Sequence, residues 1–188
     1  MAKTKSKKKT SLISEIELPQ DVSASYDNHY LTVSGPKGEN KRQLKNAQIK
    51  LSVEKNKIVL ESAKATKENK KMLGSLVAHI KNMIMGGLQN HTYILKICSG
   101  HFPMTVSVTD NKLHVKNFLG EKVPRVLELK KGATVKIDSS LINVTSPSKE
   151  IAGQVAADIE QLTRRPGYDS RIFQDGIYII SKDGKELK

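Results

Sequence analysis

The chain has 188 residues, 37% hydrophobic and 27% charged, and 32 lysines and arginines set against 19 carboxylates leave a formal charge of +13. That composition excludes a wholly disordered chain and makes a polyanion the expected partner, because neutralising phosphates releases condensed counterions and steers association. A membrane surface is excluded as a partner: there is no strongly hydrophobic basic helix, no lipid-anchor motif and no run of about 18 apolar residues.

Residues 1–11 carry closely spaced lysines with nothing to bury, and are expected to form a disordered basic tail. No apolar stretch follows to make it a secretory signal. The single cysteine, Cys98, excludes an internal disulfide and a multi-cysteine zinc site. A cytosolic or nuclear protein is the expectation.

Short strands then alternate with turn residues. Ile13 to Leu18 alternates apolar with polar, and Pro19-Gln20-Asp21 breaks it. Val22–Tyr26 and Tyr30–Ser34 flank Asp27-Asn28, read as a turn, and a basic return strand holds Lys41-Arg42-Gln43-Leu44. Ile49–Val53 and Ile58–Leu60 make a further hairpin. Leu73, Leu76, Val77, Ile80, Met83 and Ile84 recur at helical spacing, with Thr66 as the N-cap and Gly86-Gly87 as the stop.

From His91 the pattern restarts. Tyr93–Cys98 is a strand, Met104–Val108 and Leu113–Phe118 flank Asp110-Asn111, and Val123–Leu129 returns. Val135 and Ile137 pair with Leu141 and Val144 across Asp138-Ser139-Ser140. A helix follows, with Pro147 in its first turn and Ile151, Val155, Ile159 and Leu162 as its apolar stripe. Pro166-Gly167 ends it.

The two halves echo one another at an offset of about 82 at the Gly-Glu turns and about 84 at Ile58 and Ile142, a drift that needs only small insertions or deletions. Leu31-Thr-Val-Ser-Gly-Pro-Lys-Gly-Glu39 returns about 82 positions later as Leu113-His-Val-Lys-Asn-Phe-Leu-Gly-Glu121, each turn closing on a glycine free to take positive φ. Such an offset marks a duplicated domain rather than a solenoid. The fold class is α+β: two tandem duplicated domains, each a mostly antiparallel sheet with one helix packed on one face. Their bounds are 12–88 and 89–188. The terminal stretch from Tyr168 to Ile180 has no counterpart in the first half, and an addition to one copy only is where a special role belongs.

Catalysis finds no support. Five histidines lack metal-ligand spacing, Cys98 and His101 are close in sequence but no third group orients the imidazole, and Gly35–Gly38 leads into a strand rather than a helix. No cofactor, no metal and no catalytic residue is expected; the chain reads as a binder. Only five of its cations are arginine, so backbone and shape recognition is favoured over a base-edge code. Aromatic residues at 4% argue against a single-strand stacking platform. Structured RNA fits best. Arg164, Arg165 and Arg171, with Lys182 and Lys185, make the second half the better candidate for the tighter contact.

Four segments then carry a resemblance: His79–Ile84, His101-Phe-Pro103, Asn117-Phe-Leu-Gly-Glu-Lys122 and Phe173-Gln-Asp-Gly-Ile-Tyr178. Together they resemble the universal large-subunit ribosomal protein family numbered six in bacteria and nine in the eukaryotic cytosolic ribosome. The likeness covers nearly the whole chain after the tail and leans to the eukaryotic-archaeal branch; Val123-Pro124 and Gln174 depart from the family pattern. It implies a structural protein, not an enzyme and not a homo-oligomer, bound to large-subunit rRNA near the stalk base and the sarcin-ricin region. Neighbouring ribosomal proteins and translational GTPases would stand close by. It implies a cytoplasmic ribosomal location, with a nucleolar assembly stage if the source is eukaryotic. Carried over by position, the rRNA-facing residues are Asn117, Lys122, Arg125, Tyr168, Arg171, Gly176 and Tyr178, which join Arg164, Arg165 and Lys182. The alternative from the charge alone is a free-standing RNA chaperone or ribosome assembly factor.

Overall fold

The structure, a computed structural model, describes residues 11–44, 48–54, 56–169 and 171–187. The expected disordered tail, residues 1–11, lies outside them except for Ser11. The chain divides into two compact units, one running to Gln89 and the other starting at Asn90.

The first unit holds β1 (Leu12–Glu17), β2 (Ser23–Asp27), β3 (Tyr30–Gly35), β4 (Gly38–Gln43), β5 (Ile49–Glu54), β6 (Lys57–Ser62) and α1 (Lys67–Leu88). The second repeats the series as β7 (His91–Cys98), β8 (Thr105–Thr109), β9 (Lys112–Lys116), β10 (Arg125–Glu128), β11 (Thr134–Asp138), β12 (Leu141–Ser146) and α2 (Lys149–Leu162). It then adds β13 (Gly176–Lys182) and β14 (Lys185–Glu186). Every strand pair is antiparallel. The α+β class with two repeated sheet-and-helix units therefore holds. Each unit, however, divides its strands between two sheets: β1-β6-β5 with β2-β3-β4, and β11-β12-β7-β13-β14 with β10-β9-β8. A three-stranded meander and a second sheet can enclose apolar side chains between them in a way one open sheet cannot.

Each core draws on both sheets and the helix. Leu31, Val33, Ile58, Leu60 and Ile80 are inaccessible to solvent in the first unit, and Leu95, Leu113, Ile142, Val144 and Ile159 in the second. The alternation read from the sequence puts these residues inward because successive side chains on a strand point to opposite faces.

Turn chemistry sets the registers. Asp27 faces Tyr30 and Thr109 faces Lys112, so each meander opens with a two-residue turn, Asn28-His29 and Asp110-Asn111. All four take positive φ, between 49° and 65°, the backbone a tight hairpin requires. The first turn thus sits one residue beyond Asp27-Asn28. The Gly-Glu echo also differs between the copies. Gly35 faces Gly38 across a two-residue turn, whereas β9 and β10 are joined by a longer loop with a 3-10 turn at Phe118–Gly120. As a result Val33 faces Asn40, but Val115 faces Arg125. The return strand expected from Val123 starts only at Arg125; Pro124, which has no N–H to give a ladder, precedes it.

Thr66 caps α1 as the sequence reading has it, and Ser148 caps α2. Thr66 accepts from the Asn69 N–H at 3.2 Å, and Ser148 accepts from that of Ile151 at 3.5 Å. Pro147 stands before the cap rather than inside the first turn. Gly86 and Gly87 do not stop α1. Both are buried within it, and the helix runs on to Leu88. The close approach is at Gly35: a Cβ there would come within 2.7 Å of the Gly87 carbonyl carbon, and Lys37 N–H donates to the Gly87 carbonyl at 3.1 Å.

Gly35→Ala should therefore destabilise the first unit by roughly 2–3 kcal/mol through a backbone collision no rotamer can relieve. Denaturant unfolding of the full chain checks this; an unchanged midpoint would show that the helix can move aside at no cost.

Candidate nucleic-acid interface

In the second unit the long β9–β10 loop, the end of α2 and the terminal segment converge. The loop begins with Asn117 at φ 59°, whose side-chain amide donates to the Pro103 carbonyl at 2.9 Å. Leu119 at φ 47° and Gly120 at φ 77° complete the bend, with Gly120 against the Phe102 ring. This geometry brings Glu121 over the return strand. Its carboxylate accepts from Arg125 Nε at 2.8 Å and Nη2 at 2.7 Å, and Arg165 stands 3.9 Å away. The Arg125 hydrogen bonds, helped by both positive charges, hold Glu121 below the usual carboxylate range against the opposing effect of burial.

Arg125 is spent within the fold. Its Nη1 donates to the Leu162 carbonyl at 2.6 Å, and its guanidinium lies 4.4 Å above the Phe118 ring. It thereby ties the loop to the last turn of α2, where carbonyls lack helical partners. Its neighbour Arg165 covers the Tyr168 ring at 4.4 Å. Tyr168 meets Phe173 edge-on at 5.0 Å, and Phe173 stacks on the His101 imidazole at 5.1 Å.

Asp175 ends this ladder. Its carboxylate is 3% exposed and accepts from the Gly100 N–H at 2.6 Å, the His101 N–H at 3.0 Å and the His101 Nδ1–H. Burial alone would raise its pKa. The donors from His101 and Gly100 outweigh that, and the net displacement is downward. The imidazole considered beside Cys98 is thus the carboxylate's partner, a positioning role.

Just beyond, β13 is fastened to α2 by side chains rather than by helix backbone. The Thr163 hydroxyl accepts from the Ile177 N–H at 2.9 Å, and Glu160 accepts from that of Ile179 at 3.1 Å. Gly176 leaves room for the Tyr178 ring, whose hydroxyl would lie 3.2 Å from a Cβ there. Burial first, then electrostatic interaction with Cys98, Asp175 and Glu160, raises the Tyr178 pKa, so its hydroxyl stays a donor.

Between these parts lies an open cleft of about 550 Å³ lined by Arg164, Arg165, Tyr168, Phe173 and Tyr178 over a floor that includes Phe118. It combines aromatic faces with guanidinium donors, a surface suited to phosphate and to unstacked or terminal bases. Of the ten residues singled out from the sequence, Arg164, Arg165, Tyr168 and Tyr178 line it, Gly176 seats Tyr178, and outside the lining Arg125 covers the floor residue Phe118 while Asn117 fixes the loop bend. Lys122 is exposed on the loop. Arg171 is 88% exposed beyond the cleft lining, held by Asp169 through Nε at 3.1 Å and Nη2 at 2.9 Å, and Lys182 is exposed on β13. The sequence reading missed Glu121 and Asp175 as the anions that organise the arginines and the ladder. Their signal was present in the Gly120-Glu121 and Phe173-Gln-Asp175 motifs, but only pairing in space gives it meaning.

Comparison with known proteins agrees with this two-unit organisation. The profile described as Ribosomal protein L6 matches residues 18–86 and again 102–176. The chain is 46% identical over 181 residues to the large ribosomal subunit protein uL6 of Nanoarchaeum equitans, covering 92% of this chain and 94% of the relative. It is 42% identical over 173 residues to the uL6 protein of Methanococcus vannielii, covering 92% and 95%. The Methanobrevibacter smithii uL6 protein is 40% identical over 169 residues, covering 90% and 95%.

Two outcomes follow for the second unit. Asp175 has a folded pKa below its ordinary 3.8, so its contribution to stability is full above that value and is lost as pH falls through the folded pKa. Asp175→Asn should lower stability at neutral pH and flatten the acid limb of the stability curve; an unaltered limb would contradict the assignment. Arg125→Ala should cost roughly 1.5–3 kcal/mol by removing charge-assisted bonds from Glu121 and a donor from the Leu162 carbonyl, read as a lower unfolding midpoint.

Proposed function

The chain belongs to the ribosomal protein L6 family, and from that membership we propose that its second unit grips large-subunit rRNA through the cleft at the end of α2. It is a structural constituent of the large ribosomal subunit, working in the cytoplasm, and carries out no reaction of its own. The observation that supports the grip is the convergence of Arg164, Arg165, Tyr168 and Tyr178 on one side of the unit that carries the added terminal segment. Arg164 and Lys182 supply phosphate contacts. Tyr168 and Tyr178 offer ring faces and hydroxyl donors to a sugar or an exposed base. Arg125 acts through its neighbours by holding the loop on which Lys122 stands, and Asn117 fixes the bend. Arg171, whose guanidinium Asp169 holds through Nε and Nη2, stands on the terminal segment as an outlying contact.

In this reading the bound rRNA is that of the stalk base and the sarcin-ricin region, with translational GTPases docking nearby, and the chain enters the particle as a single copy. A nucleolar stage would apply in a cell with a nucleolus. The cleft's charged rim makes the grip largely electrostatic, so it weakens steeply with salt.

Arg164→Ala should lower affinity for large-subunit rRNA fragments and reduce the slope of log affinity against log salt by about one unit. Arg171→Ala should reduce incorporation into large subunits. Filter binding across a salt series and sedimentation of tagged chains measure the two. Identical salt slopes and undiminished incorporation would remove the cleft and the terminal segment as the anchor.

A further inference from the structure

The duplication exposes a difference between the units beyond the cleft. In the second, β13 lies along the outer edge of β7 beneath α2. In the first, the matching strand β1 ends its sheet, and among the described residues no strand pairs with its outer edge. The match is fixed by register: Ile16 faces Ile58 as Leu95 faces Ile142, Ser14 faces Leu60 as Tyr93 faces Val144, and Leu12 faces Ser62 as His91 faces Ser146.

The helices carry the same mark. With the N-caps Thr66 and Ser148 aligned, Lys70, Leu73, Gly74 and Val77 of α1 correspond to Ala152, Val155, Ala156 and Ile159 of α2. All four α2 residues are buried. Their α1 counterparts are exposed at Lys70 and Gly74 and only half-buried at Leu73 and Val77. Ala78 and Lys81, counterparts of the β13-binding Glu160 and Thr163, are exposed too. Gly74 has nothing within 4 Å of the place a Cβ would occupy. A mid-helix glycine disfavours the helix relative to alanine, and among the described residues nothing in its own unit uses the space. Lys67 is exposed at the corner where its counterpart Lys149 meets Asp183 of the β13–β14 turn at 3.0 Å.

We propose that the groove between β1 and α1 is a strand-docking site, filled in the large subunit by an extended segment of a neighbouring protein. The segment runs antiparallel to β1, adds a strand to its edge, turns alternate apolar side chains toward Leu73 and Val77, and sets a carboxylate on Lys67. The chain's other unit shows what such an occupant looks like, with Ile177 and Ile179 inward and Asp183 at the lysine. A polypeptide suits the groove better than RNA. The edge offers main-chain donors and acceptors at strand spacing, and the half-buried leucine and valine want apolar cover.

The proposal rests on the ribosomal reading above, and the test separates them. In purified large subunits containing the full chain, the amides of residues 12–17 not bonded to β6 should exchange at least about tenfold more slowly than in the free protein. A photoreactive side chain at position 74 should crosslink to a peptide segment of an adjacent ribosomal protein. Gly74→Leu should leave the free chain folded with an equal or higher Tm, yet abolish the added protection. Unprotected β1 amides in subunits that do contain the chain, or crosslinks to RNA alone, would overturn strand docking while leaving the ribosomal reading intact. Absence of the wild-type chain from subunits would overturn both.

Discussion

The second unit depends on the main-chain pairing of β13 along the edge of β7. Thr163 and Glu160 hold β13 from the helix side, and Gly176 opposite Cys98 begins the pairing. That pairing decides where the terminal segment runs, and so where Asp175, Phe173 and Tyr168 come to lie. It also closes a sheet edge that would otherwise present unpaired N–H and C=O groups. A break in the register between Ile179 and Ser181 lets the strand keep Ile177 and Ile179 inward and still deliver Asp183 to His91 and Lys149.

Within the cleft, carboxylates rather than arginines do the arranging. Glu121 draws two guanidinium groups together that would otherwise repel, and Asp175 collects three donors on one buried anion. In the proposed grip, charges tied down in this way would need little reordering when rRNA arrives, which lowers the entropic cost of binding. The same division explains why Arg125 and Arg164, both singled out by type and place, differ in kind: the first is saturated by Glu121 and Leu162, the second lines open space.

Much of the architecture was legible in the sequence because it rests on periodicity and turn chemistry. The alternating pairs Leu31/Val33 and Leu113/Val115, the cap Thr66, and the 82-residue echo at the Gly-Glu turns all survive. What was hidden depends on contacts distant in sequence. Gly86-Gly87 has the composition of a helix stop, yet both glycines are buried inside α1, with Gly35 packed against Gly87. The split into two sheets, and the attachment of β13 to β7 across nearly the whole unit, leave no local pattern. For the cleft, residue type and place along the chain singled out Arg164, Arg165, Tyr168 and Tyr178, which do gather there, whereas Arg171 stands outside it. The bond of His101 with Asp175 could not be read, because proximity to Cys98 was the only cue along the chain.

The lengthened connection between β9 and β10 has a consequence for how the two copies came to differ. It advances the return strand by three positions, so the rung opposite Val115 carries an arginine where the rung opposite Val33 carries the buried Asn40. With the longer connection, the second copy places a cation that knots the bend to the helix tip where the first copy holds an interior amide. Specialisation after gene doubling could thus proceed by shifting which side chain a conserved ladder presents, without rebuilding the ladder.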